Sequence, residues 1–134
     1  MITAGIDIGS ITTKVALFDG AKVLGAKVNF TGYNAAEAGR RTLDELLTDT
    51  GVSFPEVGPI VATGYGRNSV PFAHRAITEI SCHAAGAFFL NPHVRSIIDI
   101  GGQDSKAILL DATGRVKDFA MNDKCAAGTG RFLE

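Results

Sequence analysis

One strand–turn–strand pattern occurs twice in this chain of 134 residues, and no other feature constrains the fold as strongly. The sequence IDIGSITTKVALFD occupies residues 6–19, and IDIGGQDSKAILLD occupies residues 98–111. The two copies align without a gap. A repeated pattern of this kind indicates that one structural unit is used twice. The identical pairs are Ile6/Ile98, Asp7/Asp99, Ile8/Ile100, Gly9/Gly101, Lys14/Lys106, Leu17/Leu109 and Asp19/Asp111.

The residues around each copy predict the same order of elements. Around the first copy, the patterns predict strands at 2–8, 13–19 and 22–30, a helix between Asn34 and Gly51, a strand within 58–66 and a helix over 78–90. Around the second copy they predict strands at 95–100, 105–111 and 115–121, and then a loop that leads into a new helix. The order β-β-β-α-β-α followed by an unfinished copy predicts an α/β fold, with a first lobe over residues 1–92 and the start of a second over 93–134.

The aspartate–glycine turn has a composition suited to phosphate. Glycine lets main-chain N–H groups approach an anion closely, and an aspartate at the end of a buried strand can face Mg²⁺ through water. Either turn alone is as well explained as a tight hairpin, but the pair in matching register favours phosphate binding. The candidates for binding a nucleotide phosphate are Asp7, Gly9, Ser10, Thr12, Thr13 and Lys14 in the first turn, and Asp99, Gly101, Gly102, Gln103 and Lys106 in the second.

Position also suggests roles in hydrolysis. Gln103 and Asp104 are the catalytic candidates, with Gln103 placed to orient an attacking water. Asp7 and Asp99, with Asp104 as a further candidate, are placed to hold Mg²⁺. Phosphoryl transfer depends on positioning and electrostatics, so no nucleophilic side chain is required.

Cys125 is the second conspicuous feature, within MNDKCAAGTGRFLE at residues 121–134. A cysteine just before a helix lies where the helix dipole stabilises a thiolate or an anionic cluster. Its residue type and position leave three interpretations open: an inert thiol, a nucleophile, or a ligand for a soft metal or iron–sulfur cluster.

Composition excludes several classes of function. A net charge of −1 and the lack of a basic stripe argue against nucleic acid as a partner. No apolar run reaches the length of a membrane span. The N-terminal residues do not have the pattern of a signal peptide, and two cysteines are too few for a disulfide framework. We therefore expect a cytoplasmic protein without a membrane anchor.

The paired turns resemble the two phosphate loops of the ATPase superfamily that includes actin, heat-shock chaperones and sugar kinases. The resemblance implies lobes with a ribonuclease-H-like fold. Four longer stretches narrow the resemblance: ATGYGRNSV (62–70), EISCHAAGA (79–87), IDIGGQDSKAI (98–108) and MNDKCAAGTGRFLE (121–134). Together they resemble one family within this superfamily, the BadF/BadG/BcrA/BcrD-type ATPases that activate 2-hydroxyacyl-CoA dehydratases and serve benzoyl-CoA reductase.

That resemblance implies ATP, ADP and Mg²⁺ as ligands and a homodimer with one [4Fe–4S] cluster at its interface, for which Cys125 is a ligand by motif match. It further implies that ATP hydrolysis drives transfer of a low-potential electron to a CoA-ester dehydratase or reductase component. One cluster in a dimer needs two thiolates from each subunit, and we expect the second to lie beyond Glu134. We therefore expect this chain to be an inactive or partly active fragment of a protein about twice as long. A small-molecule kinase and a nucleotide-binding assembly module of the same superfamily are the alternatives.

Overall fold

The computed structural model describes residues 1–101 and 104–122. They divide into two compact units, Met1–Thr78 and Glu79 onward. The predicted site residues Gly102, Gln103 and Cys125 lie outside the described residues. The lobe boundary between residues 92 and 93 is predicted from the duplicated sequence pattern, and it stays a prediction.

The first unit is a five-stranded mixed sheet with one long helix. Its strands are β1 (Ile2–Ile8), β2 (Thr12–Phe18), β3 (Val23–Phe30), β4 (Val57–Thr63) and β5 (Arg75–Ala76), in the spatial order β3-β2-β1-β4-β5. The neighbours β1–β2 and β2–β3 are antiparallel, whereas β1–β4 and β4–β5 are parallel. The carboxyl ends of β1 and β4 therefore meet at one edge of the sheet, where ligands of open α/β sheets bind.

Helix α1 (Ala35–Thr50) lies between β3 and β4 in the chain and packs on β1, β2 and β3. Asn34 caps it by accepting a hydrogen bond from the Glu37 N–H, and Gly51 ends it in the left-handed conformation at φ 73°. Both ends agree with the sequence prediction. The buried face of α1 and the sheet form an apolar core of Ala4, Ile6, Ile8, Val15, Leu17, Leu43, Leu46, Leu47, Ile60, Ala62 and Val70.

The second unit contains helix α2 (Glu79–Leu90) and three antiparallel strands in the order β6-β7-β8. The strands are β6 (Ser96–Ile100), β7 (Ser105–Leu110) and β8 (Val116–Asn122). Helix α2 packs against β7 and β8, and the core contains Ile80, Ala84, Ile108 and Leu110. Within the described residues, no helix is both long and apolar enough to cross a bilayer.

Candidate phosphate-binding turns

The first turn joins β1 to β2. Their antiparallel pairing places Asp7 opposite Lys14 and Ile8 opposite Thr13. The Gly9 N–H donates to the Thr12 carbonyl oxygen at 2.9 Å, which closes the turn around Ser10 and Ile11. A β-carbon on Gly9 would lie 2.9 Å from that same carbonyl oxygen, so a side chain there would force the turn open. The sequence thus selects glycine at this position for steric reasons.

Asp7 and Lys14 form an ion pair at the mouth of this turn. The Lys14 Nζ lies 3.6 Å from the Asp7 Oδ2, and the Lys14 side chain is 49% exposed. An exposed pair of this kind is weak, so its ammonium can be shared with an incoming phosphate at little cost. The carboxylate of Asp7 is partly exposed and lies at the carboxyl end of β1, as a water-mediated Mg²⁺ contact requires.

A glycine turn after β4 presses against Asp7 from the other side. Gly64 has φ 89°, and a β-carbon there would lie against the Asp7 carboxylate and 2.5 Å from the Ile8 carbonyl oxygen. The Gly66 N–H then donates to the Ile8 carbonyl at 2.9 Å. The close approach of two backbone segments therefore fixes the position of the Asp7 side chain.

Thr63 contributes an unused polar group at this edge. It pairs with Asp7 in the parallel β1–β4 ladder, so the two side chains emerge on the same face of the sheet. Its hydroxyl oxygen is buried and has no hydrogen-bond partner among the residues that the structure describes. A buried hydroxyl without a partner is costly, and a bound water or a hydrated cation beside Asp7 would satisfy it.

The second turn repeats the backbone geometry of the first. The Gly101 N–H donates to the Asp104 carbonyl oxygen at 2.8 Å, and Asp99 pairs with Lys106 across β6 and β7. The two aspartate–glycine turns therefore have the same closing hydrogen bond and the same aspartate–lysine cross-strand pair.

Lys106 differs from Lys14 in its surroundings. Its side chain is 3% exposed, and its Nζ lies 3.0 Å from Asp104 Oδ1, 3.4 Å from Asp99 Oδ2 and 3.7 Å from Glu79 Oε2. Burial works against the charged form of Lys106, but the carboxylates outweigh it and raise the pKa of the lysine above its ordinary value of 10.5. The Lys106 ammonium thus interacts with all three carboxylates and links the turn to Glu79, the first residue of α2.

His83 also reaches this cluster. Its Nδ1 lies 3.7 Å from the Asp99 Oδ2 that faces Lys106. Among residues 1–101 and 104–122, no group of three or more His, Cys, Asp and Glu side chains is arranged to hold a metal ion by itself. A magnesium ion held by one or two carboxylates, waters and substrate phosphates does not require such a group.

The structure places the predicted first-turn residues in two environments. Ser10 and Lys14 are exposed, and Thr12 is half-buried. Thr13 is instead 0% exposed, on the same face as Val15 and Leu17, so it offers no surface to a ligand. Sequence reasoning did not single out Thr31, Thr63 or Gly64. The alternation Thr13–Val15–Leu17 could have identified the buried threonine.

A family model and a curated relative both match nearly the whole of this chain. A family model described as the BadF/BadG/BcrA/BcrD ATPase family matches residues 4–134. The activator of lactoyl-CoA dehydratase from Anaerotignum propionicum is 51% identical over 135 residues, which cover 100% of this chain and 52% of that protein.

Two solved structures are also similar. The first is the activator of 2-hydroxyisocaproyl-CoA dehydratase from Clostridium difficile with bound ADPNP, which superposes with a TM-score of 0.85 at 44% sequence identity. The match covers 99% of this chain and 50% of the chain of that activator. The (R)-2-hydroxyglutaryl-CoA dehydratase component A from Acidaminococcus fermentans has a TM-score of 0.87 at 41% identity, with coverages of 99% and 51%. The chain thus spans about half the length of these relatives, and the predicted α/β fold class with a ribonuclease-H-like lobe is confirmed.

Proposed function

The chain belongs to the BadF/BadG/BcrA/BcrD ATPase family, and on this premise we propose that it is the phosphate-binding half of an ATP-dependent activator of a CoA-ester dehydratase or reductase. The observation that carries the proposal is the duplicated turn. Gly9 and Gly101 make the same hydrogen bond, at 2.9 and 2.8 Å, each beside an aspartate at a strand end. Each such turn supplies a set of backbone donors suited to nucleotide phosphate.

In this proposal the residues of the first turn bind the substrate ATP and its Mg²⁺. The Gly9 turn offers backbone N–H groups and the Ser10 hydroxyl to phosphate oxygens, and Lys14 adds a mobile positive charge. Asp7 would hold the hydrated Mg²⁺ through water, and the unused hydroxyl of Thr63 would be available to hydrogen-bond to such a water. No protein nucleophile is needed, because phosphoryl transfer to water is catalysed by positioning and charge stabilisation.

We propose that the second turn also takes part in nucleotide binding. Asp99 is the candidate to contact Mg²⁺ through water, and Gly101 and Gly102 are the candidates to offer backbone N–H groups to phosphate. Gln103 is the candidate to orient the attacking water, and Asp104, whose carboxylate is held in place by Lys106 at 3.0 Å, is a further candidate to hold Mg²⁺. Lys106 acts on the nucleotide through these carboxylates rather than by direct contact, since its ammonium is buried among them.

We further propose that Cys125 is a ligand of a [4Fe–4S] cluster shared by two copies of the protein. Cys82 is unsuited to the role because it lies within α2, where its side chain is partly buried among neighbouring residues. When bound, the cluster supplies one-electron chemistry at low potential. Two thiolates per subunit are required, so each subunit needs a second thiolate ligand beside Cys125. A cytoplasmic location remains a prediction.

The test uses the full-length protein that carries this chain, purified without oxygen, beside its Cys125→Ala variant. We expect about four irons and as many acid-labile sulfides per dimer, which the substitution removes, together with MgATP hydrolysis by the parent protein. Parent protein that hydrolyses MgATP but stays free of iron after reconstitution would contradict the electron-donor function. It would leave an ATPase of this family without a cluster.

A further inference from the structure

Thr31 is tied to the first phosphate turn by three hydrogen bonds. Its hydroxyl donates to the Gly9 carbonyl oxygen at 2.8 Å, and its backbone N–H donates to the Ile11 carbonyl oxygen at 2.8 Å. Its Oγ1 also lies 2.8 Å from the Thr13 Oγ1. Thr31 follows β3 directly and is 8% exposed, so it lies beneath the turn rather than on its surface.

The donor at each step of this chain follows from proton counting. A hydroxyl has one proton to donate, and a carbonyl oxygen can only accept. Because Thr31 uses its proton on Gly9, Thr13 must donate to Thr31. The Thr13 hydroxyl therefore donates to the Thr31 hydroxyl, which donates to the Gly9 carbonyl oxygen. Each hydrogen bond in this chain polarises the next one.

These bonds set the orientation of two peptide groups in the turn. The described peptide bonds include no cis bond, and in a planar trans peptide the N–H points opposite to the C=O. With the Gly9 carbonyl directed at Thr31, the Ser10 N–H is directed away from it. The same reasoning, applied to the Ile11 carbonyl, directs the Thr12 N–H away from Thr31. Ser10 and Ile11 are exposed, so a ligand can reach the turn.

We propose that Thr31 is a positioning residue for nucleotide phosphate, which acts by holding the Ser10 and Thr12 N–H groups toward the anion. The inference rests on the proposed function and extends it, since Thr31 itself does not contact the nucleotide. Replacing its hydroxyl frees the Gly9–Ser10 peptide to rotate, and the phosphate then loses an oriented donor.

Thr42 is the matched control. It is also a threonine with a buried hydroxyl, donating to the Ala38 carbonyl at 2.7 Å and accepting from Asn29 at 3.0 Å. It lies within α1 and makes no hydrogen bond to the turn. Thr42→Val therefore removes interactions of the same kind without affecting the turn.

The experiment compares wild type, Thr31→Val, Thr31→Ser and Thr42→Val in the full-length protein. Two probes are titrated by calorimetry: MgADP, which has phosphates, and adenosine, which has none. We expect Thr31→Val to weaken MgADP binding about tenfold and to leave adenosine binding unchanged. Thr31→Ser should restore the affinity for MgADP, and Thr42→Val should lower thermal stability without weakening MgADP binding.

Each other outcome decides against one of the two proposals. Equal losses in Thr31→Val and Thr42→Val, or parallel losses for MgADP and adenosine, would show that Thr31 only stabilises the fold. Wild-type affinity in Thr31→Val would overturn the inference directly. Failure of the wild type to bind MgADP would overturn the proposed function and the inference with it. If Thr31→Val does not fold, Thr31→Ala, which also removes the hydroxyl, takes its place, and unchanged MgADP affinity in that variant would overturn the inference.

Discussion

Lys14 and Lys106 occupy equivalent positions in the two copies of the repeat, but their environments differ. Lys14 is half-exposed beside one carboxylate, whereas Lys106 is buried against three. The repeated aspartates Asp19 and Asp111 have kept one role, since each accepts hydrogen bonds from backbone N–H groups of the turn that follows it. The backbone hydrogen bonds lower the pKa of Asp19, and the Thr113 hydroxyl together with the backbone hydrogen bonds lowers the pKa of Asp111. Identity between the copies thus preserves the role of the aspartates but not that of the lysines.

The lysines should respond differently to removal of their charge. We expect Lys106→Met to destabilise the second unit by about 1–3 kcal/mol, because three partly exposed carboxylates lose their shared cation. Lys14→Met should change the stability of the first unit by less than about 0.5 kcal/mol. Native-state hydrogen exchange of β7 and β2 measures the two effects separately. Equal effects in the two strands would contradict the difference in burial.

The pH dependence of the Lys106 contribution follows from its raised pKa. A lysine whose pKa is higher in the folded state stabilises the protein fully below its unfolded value of 10.5, and this contribution is lost as the pH rises through the folded value. The difference between wild type and Lys106→Met should therefore be constant at neutral pH. It should shrink under alkaline conditions, as the ammonium loses its proton.

At the scale of elements, the carboxyl ends of β1 and β4 and the turn after β4 form one steric unit. Gly64 lies against Asp7 and Ile8, and no side chain fits between them. The approach requires both the positive φ of Gly64 and the parallel pairing of Asp7 with Thr63. The predicted Mg²⁺-facing carboxylate is therefore positioned by a strand that is remote in sequence.

Substitution of this glycine should disturb both fold and site. We expect Gly64→Ala to cost about 2 kcal/mol or more, because it combines a positive φ with a clash against Asp7 and Ile8, and to weaken MgADP binding. Gly5→Ala is the control, since a β-carbon on Gly5 in β1 would meet no atom within 4 Å. Thermal unfolding and MgADP titration of both variants test this. A Gly64→Ala protein that binds MgADP like the wild type would show that the turn does not position Asp7.

Element types were predictable from the sequence because alternation, caps and turn residues act locally. The α1 helix agrees at both ends for this reason, whereas β5, with only Arg75 and Ala76, is too short to show a period. The contacts of Thr31 and Thr63 were not predictable in the same way. They depend on which strands become neighbours in the sheet. β1 pairs with β4, although β2, β3 and α1 lie between them in the sequence. The site residues predicted in the first turn lie at one edge of the sheet, but the sequence did not indicate that Thr31 and Thr63 lie beside them.

Across the whole molecule, the repeat reveals one sheet face that is covered in the first copy and open in the second. Helix α1 covers the face of the first sheet that carries Ile6 and Leu17. The equivalent residues Ile98 and Leu109 are exposed, as are Ile100 and Ala107 beside them. A contiguous apolar face of this kind marks a surface that another segment covers. The repeat predicts that the covering segment is a helix that follows β8, in the order that places α1 after β3.

The equivalent residues Ile6 and Ile98 allow a direct test of that prediction. Ile6 is 1% exposed and Ile98 is 73% exposed. We expect Ile6→Ala to cost about 2–5 kcal/mol in any length of the protein, because it leaves a cavity in the core. Ile98→Ala should cost less than about 0.5 kcal/mol in the chain of 134 residues but as much as Ile6→Ala in the full-length protein. Hydrogen exchange of β1 and β6 in both lengths measures each cost. If Ile98→Ala is harmless at both lengths, no helix covers this face, and the second copy departs from the architecture of the first. If it is costly already in the shorter chain, the face is buried by residues of that chain that follow β8 or by a second copy, because the remainder of the protein is then not required to cover it.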